Sequence, residues 1–199
     1  MKNLMITAAI AASMLVPAAA QAQALPPAVV AVVDLDRVSN DCNACKTAAA
    51  SLRGQVNALQ AREKALAAPL QAEKTAIQSA IDALKGSEPP AALQARIKAF
   101  QDKQQSGGAE ITRQQDQIQN NQRYVQKQIQ DKLNPIYSSV MQKRGASLLV
   151  DVAATLATAA SLDVTADVVA ALNASLPSLS TNAPAAAAAA STKPSTQGR

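Results

Sequence analysis

The sequence contains no histidine among its 199 residues. Histidine is the most frequent general base and the commonest metal ligand, so its absence removes the Ser-His and Cys-His arrangements and most metal sites. No phosphate-binding loop is recognisable, because Ser106-Gly107-Gly108 lacks a preceding strand and a following Lys-Ser or Lys-Thr. No group of carboxylates has a sequence context that would bury its members together. We therefore expect no enzyme, no cofactor and no metal.

Aromatic residues are also scarce, at 2% of the chain, with one Phe, two Tyr and no Trp. Large aromatic side chains normally supply much of the buried area of a compact core. Ala, Gln, Leu and Lys dominate instead, which is typical of long helices. The folded body must be small, and oligomerisation would allow it to bury more surface.

One apolar run, Leu4–Val16, has the character of a targeting segment. It follows the short basic start Met1-Lys2-Asn3 and precedes small residues that offer cleavage sites, so residues 1–24 are predicted to be a cleaved signal peptide. The run is too short for a membrane anchor, and no later stretch is long enough to span a bilayer. In a cell with two membranes, export would place the protein in the periplasm.

The remaining chain predicts an α+β protein, mostly α, in which a long antiparallel helical hairpin is inserted between the strands of a small body. Residues 28–41 are rich in β-branched side chains and predict the first strand and a turn. Between 42 and 144, apolar residues recur at steps of three and four, which indicates two coiled-coil arms with a tip at 85–90. Residues 145–173 are predicted to form the remaining strands, near 147–152 and 156–160, and a terminal helix.

The second arm contains residues that a tightly packed coiled coil avoids. Ser106-Gly107-Gly108 is predicted to interrupt the helix, since each glycine costs about 1 kcal/mol relative to alanine. Gln104, Gln114 and Asn121 are polar at positions expected to face the first arm. We expect a mobile distal half of the arms and disorder in the Ala/Pro-rich tail, 174–199.

Positive charge is concentrated on the arms. Residues 46–144 contain fifteen Lys and Arg against eight Asp and Glu, a net charge of +7 in a chain whose total is +5. This excess favours anionic partners, namely acidic polypeptides, lipid head groups or nucleic acid. Export argues against nucleic acid, and an anionic lipid surface stays a candidate. A simpler interpretation, a solvated coiled-coil surface, accounts for most of these charges.

The two cysteines, Cys42 and Cys45, form a CxxC motif. Such a motif can be a redox dithiol, half of a metal site or a structural pair. The aromatic and proline neighbours of thioredoxin-like sites are missing, and no other Cys or His completes a metal shell within the chain. In an oxidising compartment a local disulfide at the root of the first arm is favoured. Unpaired helix residues and a redox or intersubunit role are the alternatives.

Three segments resemble the Skp/OmpH family of periplasmic chaperones. They are the opening Val30–Val38, the strand Leu148–Asp151 after the arms, and the terminal Leu162–Asn173 with its Asp-x-Thr-x-x-Val pattern. The resemblance covers 29–173 and implies a homotrimer whose arms enclose a cavity. It further implies that the protein holds unfolded outer-membrane proteins there without ATP. The CxxC motif, the glycine pair and the long tail depart from the family pattern.

Two sets of residues follow as candidates for these roles. Strand 29–35 is apolar on both faces, so both faces need cover, and we expect a trimer core that contains Val30, Val32 and Leu149. Some arm residues are expected to face the client, because weak apolar and charged contacts suit many sequences. The candidates are Lys64, Lys74, Arg96, Lys98, Ile111, Arg113 and Ile118. The competing hypothesis is a structural cell-envelope scaffold with one fixed partner.

Overall fold

A computed structural model describes residues 27–184, so the predicted signal peptide and the tail beyond Pro184 lie outside the described residues. The described chain is mostly helical with one small sheet, which confirms the expected class. In chain order, its helices and strands are β1 (Val30–Val33), α1 (Leu35–Asp41), α2 (Asn43–Ala83), α3 (Ala91–Arg144), β2 (Leu148–Asp151) and α4 (Thr165–Ser175). Two short 3₁₀ turns, Val152–Ala154 and Ala160–Leu162, connect β2 to α4.

The sheet consists of two parallel strands, and the two long helices form the crossover between them. Val30 pairs with Leu148 and Val33 with Asp151. The expected strand at 156–160 is wrong: this part of the chain is irregular, and only Asp163 makes a bridge to Val32. Its sequence is rich in alanine, and Leu156 is fully exposed, so neither β propensity nor burial favours a strand there.

The hydrophobic core lies at the root of the arms. β1 contributes Ala31 and Val33, α3 contributes Leu133 and Ile136, and further buried residues come from α1, the start of α2 and α4. Asp34 caps α1 by accepting a hydrogen bond from the Arg37 N–H at 2.8 Å. Beyond this core α2 and α3 pack mainly on each other. At about 1.5 Å per residue they are roughly 60 and 80 Å long.

The predicted interruption of the second arm is wrong, because α3 continues through Gly107 and Gly108 without a break. Gly107 is buried, and a Cβ atom placed on it would lie 3.7 Å from Leu66 Cδ1. Gly107 therefore lies within the contact between the helices, beside Leu66. This packing offsets the low helix propensity of glycine at Gly107, whereas Gly108 faces open space.

The predicted disorder of the whole tail is also wrong for its first part. Leu176 is buried in the core, Leu179 packs against it, and Ser180, Thr181 and Ala183 are hydrogen-bonded to the arms. The apolar anchors and the polar partners on the arms together stabilise a segment whose Ser/Pro/Ala composition alone favours disorder.

Candidate functional site

A cleft on the arms lies between α2 and α3, around Gly107, and has a volume of about 580 Å³. Leu66, Pro69 and Leu70 of α2 supply its apolar lining. Charged side chains of both signs surround this lining, namely Arg62, Glu73, Lys103, Glu110 and Arg113. An open cleft of this composition suits weak contacts with apolar and charged groups, and its residues form no nucleophile–base arrangement.

Two ion pairs join the arms on either side of this cleft. Arg62 of α2 donates two hydrogen bonds to the Glu110 carboxylate, at 2.7 and 2.9 Å. Arg96 of α3 donates two to Glu73, at 2.6 and 3.0 Å. These hydrogen bonds hold the pKa of Glu110 and of Glu73 below its ordinary value and raise the pKa of each arginine. The pairs fix the register of the two helices, although their exposure limits their energy.

Two of the cations expected to face a client are engaged in ion pairs within the arms. Arg96 pairs with Glu73, as described above, and Lys98 lies 3.1 Å from Asp102, four residues further along α3. Both therefore carry an anionic neighbour that partly neutralises them. Sequence spacing reveals the second pair but not the first, since Arg96 and Glu73 are on different helices.

The other candidates on the arms are distributed over several surfaces. Lys64 and Lys74 are exposed on α2, and Arg113 lines the cleft. Ile111 and Ile118 are half-buried on α3. The structure thus brings Arg113 into one cleft with Arg62 and Lys103 but does not gather the seven candidates into one site.

The net positive charge of the arms lies mainly in their root half. Residues 46–61 and 114–144 contain seven Lys and Arg against two Asp, whereas 62–113 contain eight against six Asp and Glu. Within the described chain, five of the root cations have no anionic partner: Lys46, Arg53, Arg123, Lys132 and Lys143. The described body is acidic, since residues 27–45 and 145–184 contain six Asp and one Arg. The positively charged root half of the arms therefore adjoins a negatively charged body.

The body retains apolar surface beside its sheet. Leu148 is 48% exposed and Leu35 is 37% exposed, and both line a shallow hollow with Tyr137 and Met141. Of the three residues expected in a trimer core, Val30 and Leu149 are half-buried, whereas Val32 is already buried within one chain. Leu148 and Leu35 are therefore more accessible than Val32. Periodicity could not reveal this difference, since all of these residues are apolar.

The cysteine sulfurs are bonded to each other at the junction of α1 and α2. The Cys42 sulfur also accepts a hydrogen bond from the Cys45 N–H and so caps α2. Both residues are buried in the core at the root of the first arm. Among residues 27–184, no group of acidic residues and cysteines has the geometry of a metal site.

The comparisons with known proteins agree with this architecture. The family model described as "Outer membrane protein (OmpH-like)" matches residues 29–172. The chain belongs to the OmpH-like family. This family consists of chaperones and not of enzymes. A crystal structure of an OmpH-like protein from Caulobacter crescentus, described as a candidate outer membrane chaperone, superimposes with a TM-score of 0.64 at 22% identity. The match covers 79% of this chain and 90% of that chain, and it supports the fold alone.

No curated protein matches the sequence. None of the helices within residues 27–184 of this OmpH-like chain is long and apolar enough to cross a bilayer.

Several potential binding residues of this OmpH-like chain were missed at the level of sequence. Arg62 and Glu110 are charged residues on different arms, and only the packing of α2 on α3 brings them together. Gln55, Asn121 and Gln128 form hydrogen bonds with the residues that follow α4. The abundance of glutamine in the second arm is the signal in the sequence that points to such a polar site.

Proposed function

We propose that this OmpH-like chaperone is an ATP-independent periplasmic holdase for unfolded outer-membrane protein precursors. The observation that carries the proposal is the surface of the arms, where dispersed cations adjoin shallow apolar clefts. Such a surface binds many sequences weakly instead of one sequence tightly. Membership in a chaperone family agrees with this mode of binding.

The holdase acts by shielding, and no step of its cycle requires nucleotide. Precursors of outer-membrane barrels expose apolar segments until they insert into the membrane, and they aggregate through those segments. Contacts with the arms reduce this exposure, and the basic root half attracts acidic parts of the client by long-range electrostatics. Release occurs when the client finds a more stable environment at the outer membrane. An anionic membrane surface is a further partner that the same charge would favour.

The active form in this proposal is a homotrimer. The apolar surface around Leu35 and Leu148, together with the outer edge of β2, has no partner within residues 27–184. Burial of this surface between subunits would stabilise a small body with few aromatic residues. Three sets of arms around one cavity would add their weak contacts and raise the overall affinity for a client.

The proposal is tested by dilution of a urea-unfolded outer-membrane β-barrel into buffer with the purified protein. We expect one trimer per client to suppress light scattering from aggregates. Unchanged scattering at this ratio would contradict the holdase. A scaffold would instead give one stoichiometric partner when the protein is purified from envelope extracts, where a holdase gives many membrane proteins.

A further inference from the structure

The chain leaves α4 and returns to the arms as an irregular segment, residues 176–184, which we call the strap. Leu176 is buried in the core, and Leu179 packs on its edge. From Ser180 onward the strap lies across α2 and α3, in the root half of the arms. Its remaining contacts are polar, and they follow one pattern.

Gln128 of α3 binds the main chain of Ser180 at both polar atoms. The Ser180 N–H donates to Gln128 Oε1 at 3.1 Å, and Gln128 Nε2 donates to the Ser180 carbonyl at 2.9 Å. One side-chain amide thus pairs with one residue of main chain in the way that a neighbouring β-strand would.

Two further amides each make one hydrogen bond to the main chain of the strap. Gln55 Nε2 of α2 donates to the Thr181 carbonyl at 3.2 Å. The Ala183 N–H donates to Asn121 Oδ1 at 2.8 Å. Asn121 is itself held by Gln55 Oε1, which accepts from its Nδ2 at 2.8 Å. Asn121 is 2% exposed, so its amide is fixed by burial as well as by hydrogen bonds, whereas Gln55 and Gln128 are half-buried.

These contacts recognise main-chain atoms and very little of the strap's sequence. Ser180, Asn182 and Pro184 are exposed, and the one hydrogen bond from a strap side chain to the arms joins Thr181 Oγ1 to Ser51 Oγ. Every unfolded polypeptide offers the same N–H and C=O groups, whatever its sequence. A set of amides arranged for such groups is therefore a binding site for main chain in general.

We propose that Gln55, Asn121 and Gln128, which we call the amide groove, bind the main chain of an unfolded polypeptide, and that the strap occupies this groove until a client displaces it. This inference rests on the proposed holdase function and names one of its contact sites. The unpaired root cations lie on the same half of the arms and would attract the client to it.

The strap competes with the client because it is tethered beside the groove. A short tether gives an effective concentration on the order of millimolar, so weak contacts suffice to keep the groove filled. If the groove is free about one tenth of the time, the apparent affinity of a client for it falls about tenfold. Release of the strap restores the full affinity for a client without a change in any residue of the groove.

The test compares two variants of the full chain with the unsubstituted protein. Ser180→Pro with Ala183→Pro removes the two N–H groups that donate to Gln128 and Asn121. Ser178→Pro with Asn182→Pro is the matched control, because the Asn182 N–H bonds only to Ser180 within the strap. Side-chain amide NMR signals of Gln55 and Gln128 report whether each variant still fills the groove. The probe is an unfolded outer-membrane β-barrel whose affinity is measured by fluorescence anisotropy.

The variant that empties the groove should bind the barrel about tenfold more tightly than the unsubstituted protein, and a control that keeps it filled should not. In the unsubstituted protein, the barrel should accelerate hydrogen exchange at the Ser180 and Ala183 amides. Equal affinity of filled and empty forms, or weaker binding by the empty form, would overturn the inference and leave the holdase intact. Absence of binding by all forms would overturn both.

Discussion

Arg62 and Glu110 are 48 residues apart in the sequence, and they form a two-pronged ion pair that joins the arms beside the cleft. The pair determines how Glu110 responds to acid. Because the hydrogen bonds from Arg62 favour the ionised carboxylate, the pKa of Glu110 lies below its ordinary value of 4.5.

This pair predicts a specific loss of stability in acid. A carboxyl group with a depressed pKa in the folded state contributes stability above its unfolded pKa, and loses it as the pH falls through the folded value. We therefore expect Glu110 to become protonated only at a lower pH than an ordinary glutamate does. Arg62→Gln should raise the pKa of Glu110 and leave that of Glu73 unchanged, because Glu73 pairs with Arg96. NMR titration of the two carboxylates measures both values, and an ordinary pKa for Glu110 in the unsubstituted protein would contradict the pairing.

The two adjacent glycines of α3 should respond differently to the same substitution. Leucine at position 108 would enter open space and improve helix propensity by about 1 kcal/mol, so Gly108→Leu should be neutral or stabilising. Leucine at 107 would press against Leu66, so Gly107→Leu should destabilise the packing of the arms by about 1–3 kcal/mol. Thermal unfolding of both variants measures the difference. Equal melting temperatures would mean that Gly107 does not face Leu66.

The cysteine pair is predicted to be oxidised in protein isolated from the periplasm. Denatured protein should show no reactive thiol before reduction and two afterwards, since the structure bonds Cys42 to Cys45. A variant with Cys42→Ser and Cys45→Ser is the control, because it has no thiol in either state. Two reactive thiols without reductant would show that the motif is not a disulfide.

The distribution of charge predicts which cations contribute most to client binding. Lys46, Arg53 and Lys132 have no anionic partner in the described chain and lie in the root half of the arms, where cations greatly exceed anions. Replacement of these three by Gln should weaken binding of an unfolded barrel several-fold and reduce its salt dependence. The matched variant replaces Lys64, Lys74 and Lys85 in the more balanced distal half. Equal losses of affinity in the two variants would mean that cations along the whole arm attract the client.

Much of the architecture could be predicted from the order of its patterns. The β-branched run at β1, the heptads and the turn at 85–90 depend on local sequence, and the structure has helices and a strand close to those bounds. The predictions from the sequence were wrong at positions whose conformation depends on tertiary contacts. Gly107 is helical and buried in the contact between the arms, beside Leu66, and Leu176 and Gln128 hold residues 176–184 against the core and the arms.

The candidate site was less predictable for the same reason. Heptad spacing indicates which face of a helix is apolar, but it does not indicate which cation meets which anion on another helix. Arg96, a candidate for contact with a client, pairs with Glu73 on the other helix, and heptad spacing does not indicate this pair. Asn121 was expected to weaken the contact between the arms, yet it is buried with its amide hydrogen-bonded to Gln55.

If the trimer forms as proposed, the substitution of one surface residue should dissociate it. Leu148 is 48% exposed beside the sheet, so Leu148→Asp should prevent burial of that surface without unfolding the chain. Val32 is unsuitable for this purpose because it is only 3% exposed in one chain, and its replacement would disrupt the core. Ile81→Asp is the control, since Ile81 is 38% exposed near the tip of the arms, far from the body.

The most direct test of the account is the molar mass in solution, measured by light scattering with and without an unfolded outer-membrane barrel. We expect three times the mass of the mature chain for the protein alone and for Ile81→Asp, and the mass of one chain for Leu148→Asp. With client, we expect a soluble complex of one trimer and one barrel chain. A monomer that forms no complex with the client would contradict both the assembly and the holdase function.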